Sequence, residues 1–191
     1  FYFRDSQWPN EPFKENGFPW IEFTRPQPVH NGVISVSVAQ HDPFQINFSA
    51  KGPTSSRGYD HTTKKISKDY GAGQNFESQW KTVFDYEAQG KTVENVLLTS
   101  WNEWMAIKTF NGNETVFCDV YNEEYSRDIE MMKSDLGDNF YLQMIRNIRK
   151  YKYEDAKHYK YQKMTIDLAD ETLAQWENVC LLYTSPSPRD R

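Results

Sequence analysis

One ordering constrains this chain more than any other feature: strand, long loop, helix, short turn, strand, long loop, helix. Residues 33–39, VISVSVA, alternate, with Ile34, Val36 and Val38 on one face and Ser35, Ser37, Ala39 and then His41 on the other. That is the pattern of a strand whose two faces meet different surroundings. Residues 42–75 follow, with four Gly, two Pro and many Ser, Thr and Lys, too polar for a core and far longer than the roughly 12 to 15 residues of an ordinary loop. Phe76, Trp80, Val83, Phe84 and Ala88 then recur at helical spacing, with Asn75 as the expected N-cap and Gly90 as the stop. After a short turn, Asn95 to Trp101 form a second strand. A second long segment, residues 102–137, holds a hairpin signal at Thr109-Phe110-Asn111-Gly112-Asn113. Asp138 is expected to cap a last helix in which Tyr141, Leu142, Ile145, Ile148 and Arg149 repeat, ending near Tyr151.

Elaborate loops after strands and a short one after the helix are the asymmetry of an α/β barrel, whose βα loops build the active site. A doubly wound open sheet gives a similar string. The small, polar face Ser35/Ser37/Ala39 suits a crowded lumen, while Ile34, Val36 and Val38 suit packing on helices, and this favours the barrel. A (β/α)8 TIM barrel needs about 250 residues, so the expected fold class is α/β, a partial barrel made of its later strands, followed by the start of a second module.

Chemistry concentrates at the end of the second strand. Thr99-Ser100-Trp101-Asn102-Glu103-Trp104 places a carboxylate between two indoles, which in a barrel is the catalytic rim. Glycoside hydrolysis needs carboxylates with pKa values tuned apart, and aromatic walls both raise the pKa of an acid and stack on sugar rings. Asn102 can hydrogen-bond a sugar hydroxyl. The structural alternative has Glu103 hydrogen-bonded within the rim and Trp101 and Trp104 as core.

TSWNEW resembles the strand-end motif of the endo-mannosidase-type glycoside hydrolase family 99 and its relatives, including family 71-like and polysaccharide-biosynthesis-associated barrels. FxFRxxQWPNEPFKENGFPW, GVISVSVAQH, NFESQW, FCDVYNEEYSRDIEMMK and GDNFYLQMIRNIRKYK resemble a bacterial family 99-like group, over roughly residues 1–152. The resemblance implies a carbohydrate-active barrel, a glycoside hydrolase with Glu103 as acid/base or assisting base, and secretion or a periplasmic location. It does not name a glycan. Where the family pattern has a second Glu three residues after the first, this chain has Ala106, followed by Ile107. A replacement acid would come from strands outside this sequence or from Asp119, Glu123, Glu124, Asp128 or Glu130. Alternatives in other classes are a non-catalytic glycan-binding barrel and a role in polysaccharide assembly.

The acidic run DVYNEEYSRDIE admits three readings: a solvated segment with Arg127 pairing Glu123 and Glu124, a substrate rim where Asp119 and Tyr121 reach sugar hydroxyls, or a calcium site, which the spacing does not support. Gln40 and His41 end the first strand, and the alternation sends His41 toward the lumen, where a neutral imidazole suits binding a sugar hydroxyl or a carboxylate and, equally, a satisfied structural role. Arg57 and Tyr59 offer a fork donor and a stacking ring on the long loop. The remaining histidines are too scattered for a zinc set, and no HExxH, GxSxG or phosphate loop is present. No cofactor or metal is expected.

The net charge of -5 excludes nucleic-acid binding driven by bulk charge, and no apolar run approaches the roughly 20 residues of a membrane span. Carbohydrate is the expected partner, and oligomeric state is not readable. Aromatics at 16% provide for a core. The chain opens on Phe1-Tyr2-Phe3, already strand-like. Residues 153–163 are expected to be a linker. Residues 164–179 resemble the start of a carbohydrate-binding β-sandwich module or, as an alternative, a short amphipathic helix. Residues 180–191 contain CLLYTSPSPRD, which resembles the translation of a sequencing adapter and is set aside from the fold.

Overall fold

The computed structural model describes residues 3–9, 11–40, 54–102, 108–111, 114–117, 122–153, 167, 169, 172 and 174. The chain divides into two compact units, Phe1–Lys157 and His158–Arg191. The module and tail expected after the linker fall in the second, and lie almost wholly outside the described residues.

The first unit is built on parallel strands. β1 (Asp5–Gln7) pairs with β2 (Gly17–Pro19), and β3 (Val33–Val36), buried at every position, covers the first half of the strand expected over residues 33–39. The long loop after β3 carries a small antiparallel pair, β4 (Tyr59–Asp60) and β5 (Lys65–Ile66), and a 3-10 turn at Tyr70–Ala72. Helix α1 (Gln74–Ala88) then crosses back to β6 (Asn95–Leu98), which pairs with β3 in parallel, Val33 opposite Asn95 and Val36 opposite Leu98. After β6 comes the antiparallel pair of β7 (Lys108–Asn111) and β8 (Glu114–Phe117), with Asn111 opposite Glu114, and last α2 (Asn139–Lys152). The described strands form four two-stranded sheets, with no closed ring among them. No described helix is long and apolar enough to cross a membrane.

The core lies between β3 and the helices. Ile34, Val36 and Val38 pack with Phe76, Trp80, Val83 and Tyr86 of α1 and with Phe140 of α2. Each fully buried side chain of this kind contributes about 1.5–3 kcal/mol. On the opposite face the Ser35 hydroxyl donates to the Pro19 carbonyl; just past the strand the Ser37 backbone meets the carboxamide of Gln79, while the buried Ser37 hydroxyl has no partner among the described residues.

Three local expectations are corrected. The N-cap of α1 is Gly73 at φ +64°, where a Cβ would collide with the Gln143 carboxamide; Asn75 lies inside the helix and donates to Thr54 O and Ser56 O at 3.2 and 2.9 Å. Helix α2 buries Phe140, Gln143 and Asn147, while Leu142 is 53% exposed. The helix is turned this way because Gln143 and Asn147 donate to Glu77 of α1, at 2.9 and 3.2 Å. The loop before α1 is not wholly outside the core, since Ser55, Ser56 and Arg57 are fully buried.

Candidate functional site

Beyond β6 the chain changes direction at Ser100, whose φ of +66° is a left-handed conformation that costs a non-glycine residue about 1–2 kcal/mol. The turn is held from outside the strand. The Ile129 amide donates to Ser100 O at 3.3 Å and Trp101 O at 3.0 Å, and the Glu130 amide donates to Trp101 O at 3.0 Å. The Asn102 carboxamide donates to Glu130 Oε2 at 2.8 Å. Trp101 stands 45% exposed, edge-on to Tyr141 with centroids 5.9 Å apart. A half-exposed indole beside an amide and a carboxylate at the end of a parallel strand can stack on a sugar ring and hydrogen-bond its hydroxyls.

The same acidic segment is stitched to the loop that follows β3. The Arg57 amide donates to Glu124 O at 2.9 Å, the Ser56 hydroxyl to Glu124 Oε1 at 2.8 Å, and Arg57 Nη2 to Asp128 O at 2.9 Å. The Arg57 guanidinium lies 4.3 Å above the Phe140 ring, while its Nε and Nη1 meet no acceptor among the described residues. Burial lowers its pKa to about 10 despite the nearby carboxylates of Asp128 and Glu123. The expected solvated acidic loop is therefore buried at its second half: Ser126, Arg127, Asp128 and Ile129 are all enclosed, and Arg127 sits 4.8 Å over the Trp20 ring.

Further polar contacts are enclosed elsewhere in the unit. Gln40 is buried and donates to Glu22 O at 2.8 Å, and Glu22 itself pairs with His30 at 2.9 Å. Tyr59 is buried edge-on to His61, with centroids 4.7 Å apart. His61 shares a hydrogen bond of 3.2 Å with Asn75 Oδ1, and its pKa is depressed to about 4 by burial and then by the charge of Arg25. The imidazole is neutral at pH 7. Arg25 donates to Glu22 O and Thr24 O at 2.5 and 2.9 Å, and burial lowers its pKa to about 10.

Of the residues expected at the site, the structure brings Trp101 and Asn102 together at an exposed strand end and adds Glu130 to them. Gln40, Arg57 and Tyr59, expected to meet substrate, are buried instead, engaged with Glu22 O, Asp128 O and the His61 ring. Glu103, Trp104, His41, Asp119 and Tyr121 lie outside the described residues, as does Ala106.

No family model, curated protein or solved structure matches the chain. Two features of the site had no signal in the sequence. Ser100 is not a residue type that announces a left-handed turn, and Trp20 under Arg127 joins positions too far apart for any local pattern to link. Among the described residues, no group of three His, Cys, Asp or Glu is arranged to hold a metal ion.

Proposed function

We propose that this chain is the later part of a family 99-like (β/α)8 barrel and acts as a glycoside hydrolase on a poly- or oligosaccharide, with Glu103 as acid/base or assisting base. The observation that carries the reading is the exposed cluster at the end of β6. Ser100 adopts a left-handed conformation, and the exposed Trp101 and Asn102 that follow it immediately precede Glu103 in the sequence. Backbone strain of this kind gathers at functional sites. An exposed indole next to amide and carboxylate groups is the surface a sugar ring uses. The parallel β3-α1-β6 unit supports the barrel, because active sites of such barrels sit at the C-terminal ends of their strands.

Ala106 favours a second reading, a barrel that binds glycan without cleaving it, since the resemblance places a second Glu there. The experiment that separates the two is a glycan panel offered to the complete barrel protein and to its Glu103→Gln variant. Released reducing ends that disappear in the variant support hydrolysis. Binding without release by either protein supports the second reading.

A further inference from the structure

Among the described residues, three indoles follow strands: Trp8 directly after β1, Trp20 directly after β2, and Trp101 just past β6. These strand ends share one side of the unit. β1 and β2 run parallel with Gln7 opposite Pro19, so that the next residues are Trp8 and Trp20. The Asn31 carboxamide donates to Gly17 O at 2.9 Å and the Ser35 hydroxyl to Pro19 O, which lays β2 along β3 in the same direction, and β3 is parallel to β6. The Thr99 hydroxyl then donates to Trp20 O and joins the end of β6 to the end of β2. Residues 127–130 continue this rim. The Arg127 guanidinium lies 4.8 Å from the centre of the Trp20 ring, and the amides of Ile129 and Glu130 both donate to Trp101 O at 3.0 Å.

Of the three, Trp8 is the most exposed, at 59%. Its ring is nevertheless held, edge-on to Trp20 with centroids 5.7 Å apart. The backbone beneath it is closed as well: the Glu11 amide donates to Trp8 O at 3.1 Å, and the buried Gln7 accepts the Lys14 amide at 2.9 Å. Glu11 and Lys14, 3.5 Å apart, are the polar groups of this turn. A lone exposed apolar side chain is ordinary, but a fixed indole on a rim with two others presents a flat face at little entropic cost. One indole covers at most about 250 Å², far below the roughly 800 Å² that each partner of a stable protein interface buries. The face fits a small flat body with apolar sides and hydroxyl edges, which is a sugar ring. We propose that Trp8 is a second sugar platform, which takes a ring of the same glycan chain farther along than the ring at Trp101. The assignment rests on the carbohydrate reading above and applies to a barrel that cleaves and to one that only binds.

The test measures binding by the complete barrel protein as wild type, Trp8→Ala and Trp8→Phe. The probes are short and long oligosaccharides of glucan, mannan and xylan, a disaccharide and a hexasaccharide of each, titrated by calorimetry. For the series that binds, the Kd of Trp8→Ala for the hexasaccharide is expected to rise about 10- to 100-fold, as loss of one buried aromatic contact implies. The disaccharide, held at Trp101, is expected to bind as to wild type. Trp8→Phe keeps a smaller ring and is expected to lose less. Thermal midpoints of all three proteins are expected to coincide, because the ring is exposed. A hexasaccharide Kd unchanged in Trp8→Ala overturns the assignment, as does an equal loss for both lengths. A Trp8→Ala protein that fails to fold, or whose midpoint falls clearly, also overturns it, since the ring would then belong to the core of the complete protein. Weakened hexasaccharide binding together with a wild type that cleaves nothing overturns the hydrolase reading alone. A wild type that binds no member of any series overturns the carbohydrate reading and this assignment with it.

Discussion

The carboxamide of Gln79 closes on both backbone groups of Ser37: its oxygen accepts the Ser37 amide at 3.0 Å and its nitrogen donates to the Ser37 carbonyl at 2.7 Å. Ser37 is the first residue past β3, where the ladder to β6 has ended. A helix side chain therefore does what a neighbouring strand would do. The Thr99 amide donates to Val36 O at 3.0 Å, so this junction adjoins the end of β6 where the candidate site lies. Gln79→Leu leaves a buried N–H and a buried C=O without their partners, at about 1–3 kcal/mol each. Urea unfolding is expected to show a loss on the order of 2–5 kcal/mol, and a loss below about 1 kcal/mol would show that Ser37 is satisfied without Gln79.

His61 makes stability depend on pH. Its folded pKa of about 4 lies below the ordinary 6.5 because burial disfavours the cation and Arg25 repels it. The unfolded chain therefore binds the proton first as pH falls. The contribution is fully present above pH 6.5 and is lost as pH falls through 4. Allowing for the part of the ring that meets solvent, the loss is on the order of 1–2 kcal/mol. His61→Gln is expected to flatten the thermal midpoint between those limits. An imidazole that titrates near 6.5 by NMR would contradict the buried, neutral assignment.

Ser100 separates strain from stability. Glycine at φ +66° removes the Cβ penalty, so Ser100→Gly is expected to be neutral to stabilising by up to about 1 kcal/mol, while the β-branched Ser100→Val destabilises by about 2 kcal/mol or more. Thermal unfolding of the two variants checks this. Equal midpoints for Gly and Val would mean that the left-handed turn does not form.

The regular elements were legible because each has its own period. The alternation of Ile34, Val36 and Val38 gave β3, and the recurrence of Phe76, Trp80 and Val83 gave α1 with its buried face. The hairpin signal corresponds to the β7-β8 pair. What could not be read was polar burial. Arg57, Ser56 and Asn75 carry every mark of a solvated loop, and only partners 19 to 71 residues away along the chain, such as Asp128 for Arg57, account for their enclosure. The buried face of α2 was misjudged for the same reason, since Gln143 and Asn147 turn inward toward Glu77 and displace Leu142 to solvent. At the candidate site, Trp101 and Asn102 were visible in the motif, whereas the contact of Glu130 with Asn102, 28 residues away along the chain, needed the return of its segment to the end of β6.

The central claim is that the end of β6 cleaves a glycosidic bond. The most direct measurement is reducing-sugar release from a glycan panel by the complete barrel protein and by its Glu103→Gln variant, each shown to be folded. The account predicts release by the wild type and a loss of about 10²-fold or more in the variant. Undiminished hydrolysis by Glu103→Gln would contradict it.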